Sequence, residues 1–188
     1  CWNDMELSSE YRSPGPIFFR QKRAGKNGTY FYIYKFRTMR MDTPHDMPTH
    51  MLNNPDLFIT RVGRFLRKTS LDELPQLFNI LKGDMALVGP RPLLPEYLPY
   101  YTEREQLRHS VRPGISGWAQ VNGRNNVTWD QKLEYDVYYV EHLSFVMDMR
   151  VILTTIKNVL GGKDVNVVPS AVKGAGKLNV ERANRKLR

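Results

Sequence analysis

Four prolines fall within ten residues, at positions 90, 92, 95 and 99 of GPRPLLPEYLP, and they limit this chain more than any other feature. Proline has no backbone N–H and its ring clashes with the preceding helical turn, so no regular helix can cross residues 89–99. Regular structure must lie on either side. Upstream, the aromatic and β-branched clusters of FFRQKRAGKNGTYFYIYKFRTM flank GKNG, which predicts a β-hairpin turning near Asn27-Gly28. Residues 40–58, with three prolines, read as a mobile loop. Arg61, Arg64 and Arg67 alternate with Val62, Phe65 and Leu66 as a short basic amphipathic helix. Leu71, Leu74, Leu77, Phe78 and Leu81 predict a second helix, stopped by Gly83.

Downstream of the prolines, residues 96–110 have a helical pattern and RPGISGWAQVNGRN (112–125) reads as a glycine-rich loop. Residues 128–160 are helical, broken near Leu143-Ser144 and ended by Gly161-Gly162, with Tyr138, Tyr139 and Phe145 as core candidates. The expected fold class is α/β and α-rich (α+β): several short amphipathic helices, a small N-terminal β-hairpin and no large sheet. Residues 1–14 are a polar segment, 15–162 one domain, and 163–188 a basic, flexible tail.

Charge narrows the function. The chain carries +9, but residues 173–188 hold six Lys/Arg against one acid, so about +5 belongs to the tail and about +4 to the body. The body has no nucleic-acid motif and places acids at its most basic segment, which argues against nucleic acid as a partner. The single cysteine, Cys1, rules out an internal disulfide, and His45, His50, His109 and His142 lack metal-ligand spacing. No apolar run approaches the roughly 20 residues needed to span a bilayer.

The densest chemistry is in LRKTSLDELPQL. Ser70-Leu71-Asp72-Glu73 has the form of a capping box, with Ser70 at the N-cap and Glu73 at N3. Pro75 favours Asp72 as the cap instead, because proline is tolerated only in the first turn. Either way Asp72 and Glu73 stand at a helix start, one turn after Arg67 and Lys68. A site that only binds phosphate avoids carboxylates. A site that transfers phosphate can use them to hold Mg²⁺ or to attack phosphorus. Arg91, set between Pro90 and Pro92, is either a rigid surface turn or an arginine preorganised for phosphate. Lys35 and Arg37 of YKFRTM share one strand face, as an ordinary half-exposed strand or as further phosphate-facing cations.

Together KFRTM, RKTSLDELPQLFNILKGDMALVGPRPLLPEYLP, RPGISGWAQVNGRN and DVYYVEHLS closely resemble the bacterial sugar transferase family, the monotopic polyprenyl-phosphate phosphoglycosyl transferases, from about Gly15 to Leu160. The resemblance implies an enzyme that moves a sugar-1-phosphate from a UDP-sugar to undecaprenyl phosphate and releases UMP. The product starts bacterial exopolysaccharide, capsule, O-antigen or glycoprotein glycans. It implies Asp72 as nucleophile, Glu73 as its support, and Mg²⁺ held by Asp72 and Glu73. Lys35, Arg37, Arg67, Pro90, Arg91, Pro92 and Arg124 would line the phosphate or nucleotide site. Family members begin with a hydrophobic membrane-dipping helix, whereas CWNDMELSSEYRSPGP is polar. The membrane surface is still the expected partner, at the cytoplasmic face of the inner membrane. The sequence leaves the oligomeric state open, a homodimer among the options. A non-catalytic membrane-surface or nucleotide-binding protein of the same fold is the alternative.

Overall fold

Aromatic and β-branched residues on both sides of Asn27-Gly28 close into the expected hairpin. β1 (Phe18–Ala24) pairs antiparallel with β2 (Tyr30–Phe36), in register from Phe18↔Phe36 to Ala24↔Tyr30. The reversal needs left-handed backbone, and Asn27 (φ 53°) and Gly28 (φ 73°), residue types that tolerate it, supply it. This computed structural model describes residues 15–43, 55–123, 127–161 and 178–186. Most of the expected 40–58 loop lies outside them. Where description resumes, Met39 bridges Ile59.

α1 (Arg61–Thr69) starts at Thr60, whose side chain accepts a hydrogen bond from the Gly63 N–H at 2.9 Å. A Cβ at Gly63 would overlap the Thr38 carbonyl, so glycine lets α1 lie directly on the backbone just beyond β2. α1 ends where Ser70 turns left-handed, at φ 58°. A 3-10 helix (Leu71–Gln76) then leads into α2 (Leu77–Leu81), and Gly83, at φ 82°, stops it as expected. Asn79 of α2 is fully buried. Its Nδ2 donates to the Tyr32 carbonyl at 2.8 Å and its Oδ1 accepts from the Tyr34 N–H at 3.2 Å. One amide side chain thus acts as a short strand along the edge of β2 and fixes α2 there.

The prolines exclude α-helix across 89–99, although residues 95–99 fall in a 3-10 helix. β3 (Ala86–Val88) precedes them and pairs in parallel with β4 (Gly114–Ser116). The expected helix over 96–110 is broken into a 3-10 helix (Pro95–Tyr100), α3 (Glu103–Gln106) and a 3-10 turn (Leu107–His109), because Pro99 interrupts it and Thr102 starts α3 afresh with a capping box. The segment 112–125 is not simply a loop: it contains β4 and α4 (Trp118–Asn122). Its glycines serve pairing, since a Cβ at Gly114 would overlap the backbone of Gly89 opposite. α5 (Trp129–Glu141) and α6 (Phe145–Leu160) break at Leu143-Ser144 as the sequence predicts.

Two two-stranded sheets are present among the described residues, and no large one. Among the described residues three apolar clusters form the core. Phe31, Ile33 and Met85 lie under the hairpin, and Val88, Tyr139, Met147 and Val151 join β3 to α5 and α6. Leu93, Tyr97, Tyr101, Leu133 and Leu178 back the proline segment. Leu178 belongs to α7 (Leu178–Lys186), so these residues of the expected tail form a helix. α7 is bound because Leu178 is fully buried and Arg182 grips both oxygens of Glu105. Of the aromatic core candidates only Tyr139 is buried; Tyr138 stacks on Trp118 and His142, and Phe145 is 79% exposed.

Candidate active site

The left-handed turn at Ser70 reverses the chain after α1, and Asn79 anchors the far end of the same segment to β2. Asp72 and Glu73 are therefore held between α1 and the hairpin. The capping box does not form: Ser70 makes no side-chain cap. Glu73 has stronger partners. Its Oε1 accepts from Lys35 Nζ at 2.6 Å and from Arg91 Nη2 at 2.7 Å. Two cations on one oxygen leave Oε2 without a hydrogen bond among the described residues. Burial alone would raise the Glu73 carboxyl, but Arg91 and Lys35 override it and hold the group well below the usual carboxylate range.

Asp72, one residue away, is in the opposite state. Its carboxylate accepts no hydrogen bond among the described residues, and burial raises its pKa against the opposing charges of Lys35, Arg67 and Arg91. Its lone pairs are therefore not taken up by donors among the described residues, although three cations lie nearby. Arg67 is set by its Nε, which donates to Thr38 Oγ1 at 2.9 Å, and burial pulls its pKa down. Lys35 is likewise lowered by burial, with Glu73 opposing. Arg91 is raised by Glu73. Its side chain is 42% exposed.

Of the residues expected at the site, Lys35, Arg67, Asp72, Glu73 and Arg91 converge. Pro90 and Pro92 are buried and hold Arg91 from both sides, and the Pro90 carbonyl accepts from Gly114 N–H at 3.1 Å. Arg37 lies just past the end of β2, its guanidinium against the Gly15 backbone rather than on Glu73. Arg124 lies outside the described residues. Sequence reasoning missed the support behind Arg91. Arg108 Nη2 donates to the Arg91 carbonyl at 2.6 Å and to Asp136 Oδ2 at 2.8 Å. Arg108 and Asp136 are both buried, at 1% and 3% side-chain exposure. Their link joins residues 28 apart, and no local pattern announces it.

Among the described residues no group of three acids, histidines or cysteines is placed to hold a metal. The two carboxylates nevertheless suit Mg²⁺, which binds through one or two carboxylates and completes its shell with water and substrate phosphate. Asp72 and Glu73 Oε2 are the available oxygens.

Fold and site together define an α-rich domain with an acid pair set among three cations. Comparison with known proteins is more specific. Residues 5–162 match the family described as Bacterial sugar transferase. The chain is 51% identical over 145 residues to "Uncharacterized sugar transferase EpsL" of Bacillus subtilis (strain 168), covering 77% of this chain and 70% of that protein. It is 45% identical over 159 residues to the UDP-glucose:undecaprenyl-phosphate glucose-1-phosphate transferase of Xanthomonas campestris pv. campestris, covering 80% and 33%. It is 40% identical over 163 residues to the undecaprenyl-phosphate galactose phosphotransferase of Salmonella typhimurium, covering 79% and 34%. The chain thus spans about a third of the length of these last two relatives. The chain belongs to the bacterial sugar transferase family.

Proposed function

We propose that this chain transfers a sugar-1-phosphate from a UDP-sugar to undecaprenyl phosphate and releases UMP. The observation that carries this reading is the contrast within the acid pair: Glu73 is committed to Lys35 and Arg91, while Asp72 beside it is free to attack. The names of two relatives support the acceptor, and one of them the donor class.

An Asp72 oxygen attacks the β-phosphorus of the UDP-sugar. The bond from that phosphorus to the bridging oxygen breaks, and the electron pair leaves with UMP. A phosphate oxygen of undecaprenyl phosphate then attacks the same phosphorus, and the Asp72 carboxylate is regenerated. Lys35, Arg67 and Arg91 neutralise charge on the non-bridging oxygens in both steps. Glu73 holds Lys35 and Arg91 at the reacting centre. Mg²⁺ held by Asp72 and Glu73 would supply further neutralisation of phosphate charge.

The acceptor is a lipid, and the chain offers a surface for one. Val62 and Phe65 of α1 are 63% and 59% exposed, and Phe78 and Leu81 of α2 are 61% and 83% exposed. Arg61, Arg64 and Lys68 lie beside them, a pairing suited to an anionic bilayer surface. No helix among the described residues is long and apolar enough to cross a membrane. Attachment at the cytoplasmic face of the inner membrane places the site beside both substrates. The relatives' names include glucose, galactose and N-acetylgalactosamine, so the sugar is a matter for assay.

The test is UMP release from a panel of UDP-sugars with undecaprenyl phosphate in mixed micelles. Release that needs the lipid phosphate and stops with EDTA is expected. Liposome binding with no UMP release from any UDP-sugar would favour the non-catalytic reading instead.

A further inference from the structure

Two cations next to the site have no role in the mechanism above. Arg23, near the end of β1, stands beside Ala24, whose N–H donates to the Leu93 carbonyl at 3.1 Å. That bond brings the end of the hairpin against the segment carrying Arg91. Among the described residues Arg23 Nη2 reaches only Gln21 Oε1, at 2.5 Å, and its buried Nε has no hydrogen-bond partner. Lys132 lies on α5 one turn before Asp136, on the same helix face. Asp136 is the residue that holds Arg108 against the Arg91 carbonyl. The Lys132 ammonium sits 5.1 Å from the Trp129 ring centroid, and Trp129 packs edge-on against Tyr97.

Neither Arg23 nor Lys132 meets a carboxylate at ion-pair distance among the described residues. Of the acids nearby, Asp136 is taken by Arg108 and Glu73 is shared by Lys35 and Arg91, while Glu96 lies near Arg23 without reaching it at ion-pair distance. Burial and the proximity of Arg91 push Arg23 down to about 10, and Lys132 is lowered for the same reasons. Arg23 still carries its charge at neutral pH. Partly buried cations without an anion are costly to keep, and Arg23 and Lys132 both lie close enough to Arg91 to feel its charge.

A sugar-phosphate transfer from a nucleoside diphosphate needs two phosphate positions. One holds the phosphorus that Asp72 attacks. The other holds the phosphate that departs with the nucleoside. Lys35, Arg67 and Arg91 serve the first. We propose that Arg23 and Lys132 form the second, a phosphate half-site on the far side of Arg91 that binds the departing nucleoside monophosphate. The inference rests on the transfer reaction proposed above and extends it to residues that reading does not use.

Calorimetric titration of the full chain with UMP tests it, using wild type, Arg23→Gln, Lys132→Gln and the charge-retaining Arg23→Lys and Lys132→Arg. Each glutamine variant should weaken UMP about tenfold or more, the effect of losing one charged hydrogen bond. The charge-retaining variants should stay near wild type, and binding of undecaprenyl phosphate in detergent micelles should not change. UMP affinity unaltered in both glutamine variants overturns the half-site. So does an equal loss in the charge-retaining variants, which would mean a packing role, or a loss confined to undecaprenyl phosphate, which would assign the cations to the lipid. If wild type binds neither UMP nor UDP, the transfer reading fails as well; if wild type binds and the variants do not differ, only the half-site fails.

Discussion

Arg108 and Arg91 are joined by a 2.6 Å hydrogen bond from a buried guanidinium to a main-chain carbonyl, and Asp136 holds that guanidinium from its other side. Arg91 thus owes its position to a charge pair beneath the site. Breaking the pair from one side leaves a buried charge alone. Asp136→Asn should therefore cost about 3–5 kcal/mol of stability in urea denaturation. Pairing Arg108→Met with Asp136→Leu should recover much of that stability, because neither charge is then stranded. It should not recover activity, because the Arg91 carbonyl loses its donor.

α7 predicts a second stability effect far from the chemistry. Leu178 fills the cluster of Leu93 and Tyr97 immediately after the Arg91 segment. Leu178→Ala should destabilise the chain by about 2–5 kcal/mol. Arg182→Ala should add to this through loss of its paired bonds to Glu105. Thermal melting of the single and double variants measures both.

What was legible in the sequence was what local chemistry decides. Asn27-Gly28 fixed the hairpin turn, and Ser144 the start of α6, because each acts within a few residues. Of the two caps the sequence offers, Ser70 rather than Asp72 precedes the helix, but its capping box does not form. The S-x-x-E pattern is present, but Lys35 and Arg91, distant in sequence, take Glu73 away from it. The 112–125 segment was misread because its glycines permit close pairing of β3 and β4, which composition does not distinguish from a loop. Asn79, Arg108 and Asp136 gave no signal, since a buried polar side chain is recognisable only by a partner dozens of residues away.

His109 supplies a pH dependence. Burial and the neighbouring Arg108 push its pKa from 6.5 down to about 4, while its Nδ1 faces the Gly25 carbonyl at 3.3 Å. Between these two values the unfolded chain binds a proton that the native state refuses. Stability should thus fall as pH drops from about 6.5 towards 4, and this contribution should be flat above 6.5. His109→Asn should flatten that part of a melting-temperature profile. An unchanged slope would place the effect on another group.

The exposed apolar residues of α1 and α2 predict surface attachment. Phe65→Ser with Phe78→Ser should reduce sedimentation with anionic liposomes, since burying each ring fully is worth about 1.5–3 kcal/mol. Melting temperature should change little, because both rings face outward.

Covalent capture at Asp72 is tested most directly by intact-protein mass spectrometry after mixing with a UDP-sugar in the absence of undecaprenyl phosphate. One sugar-phosphate adduct should appear, map to the peptide carrying Asp72, be absent from Asp72→Asn, and discharge when undecaprenyl phosphate is added. Normal UMP release by Asp72→Asn, or an adduct on another residue, would contradict it.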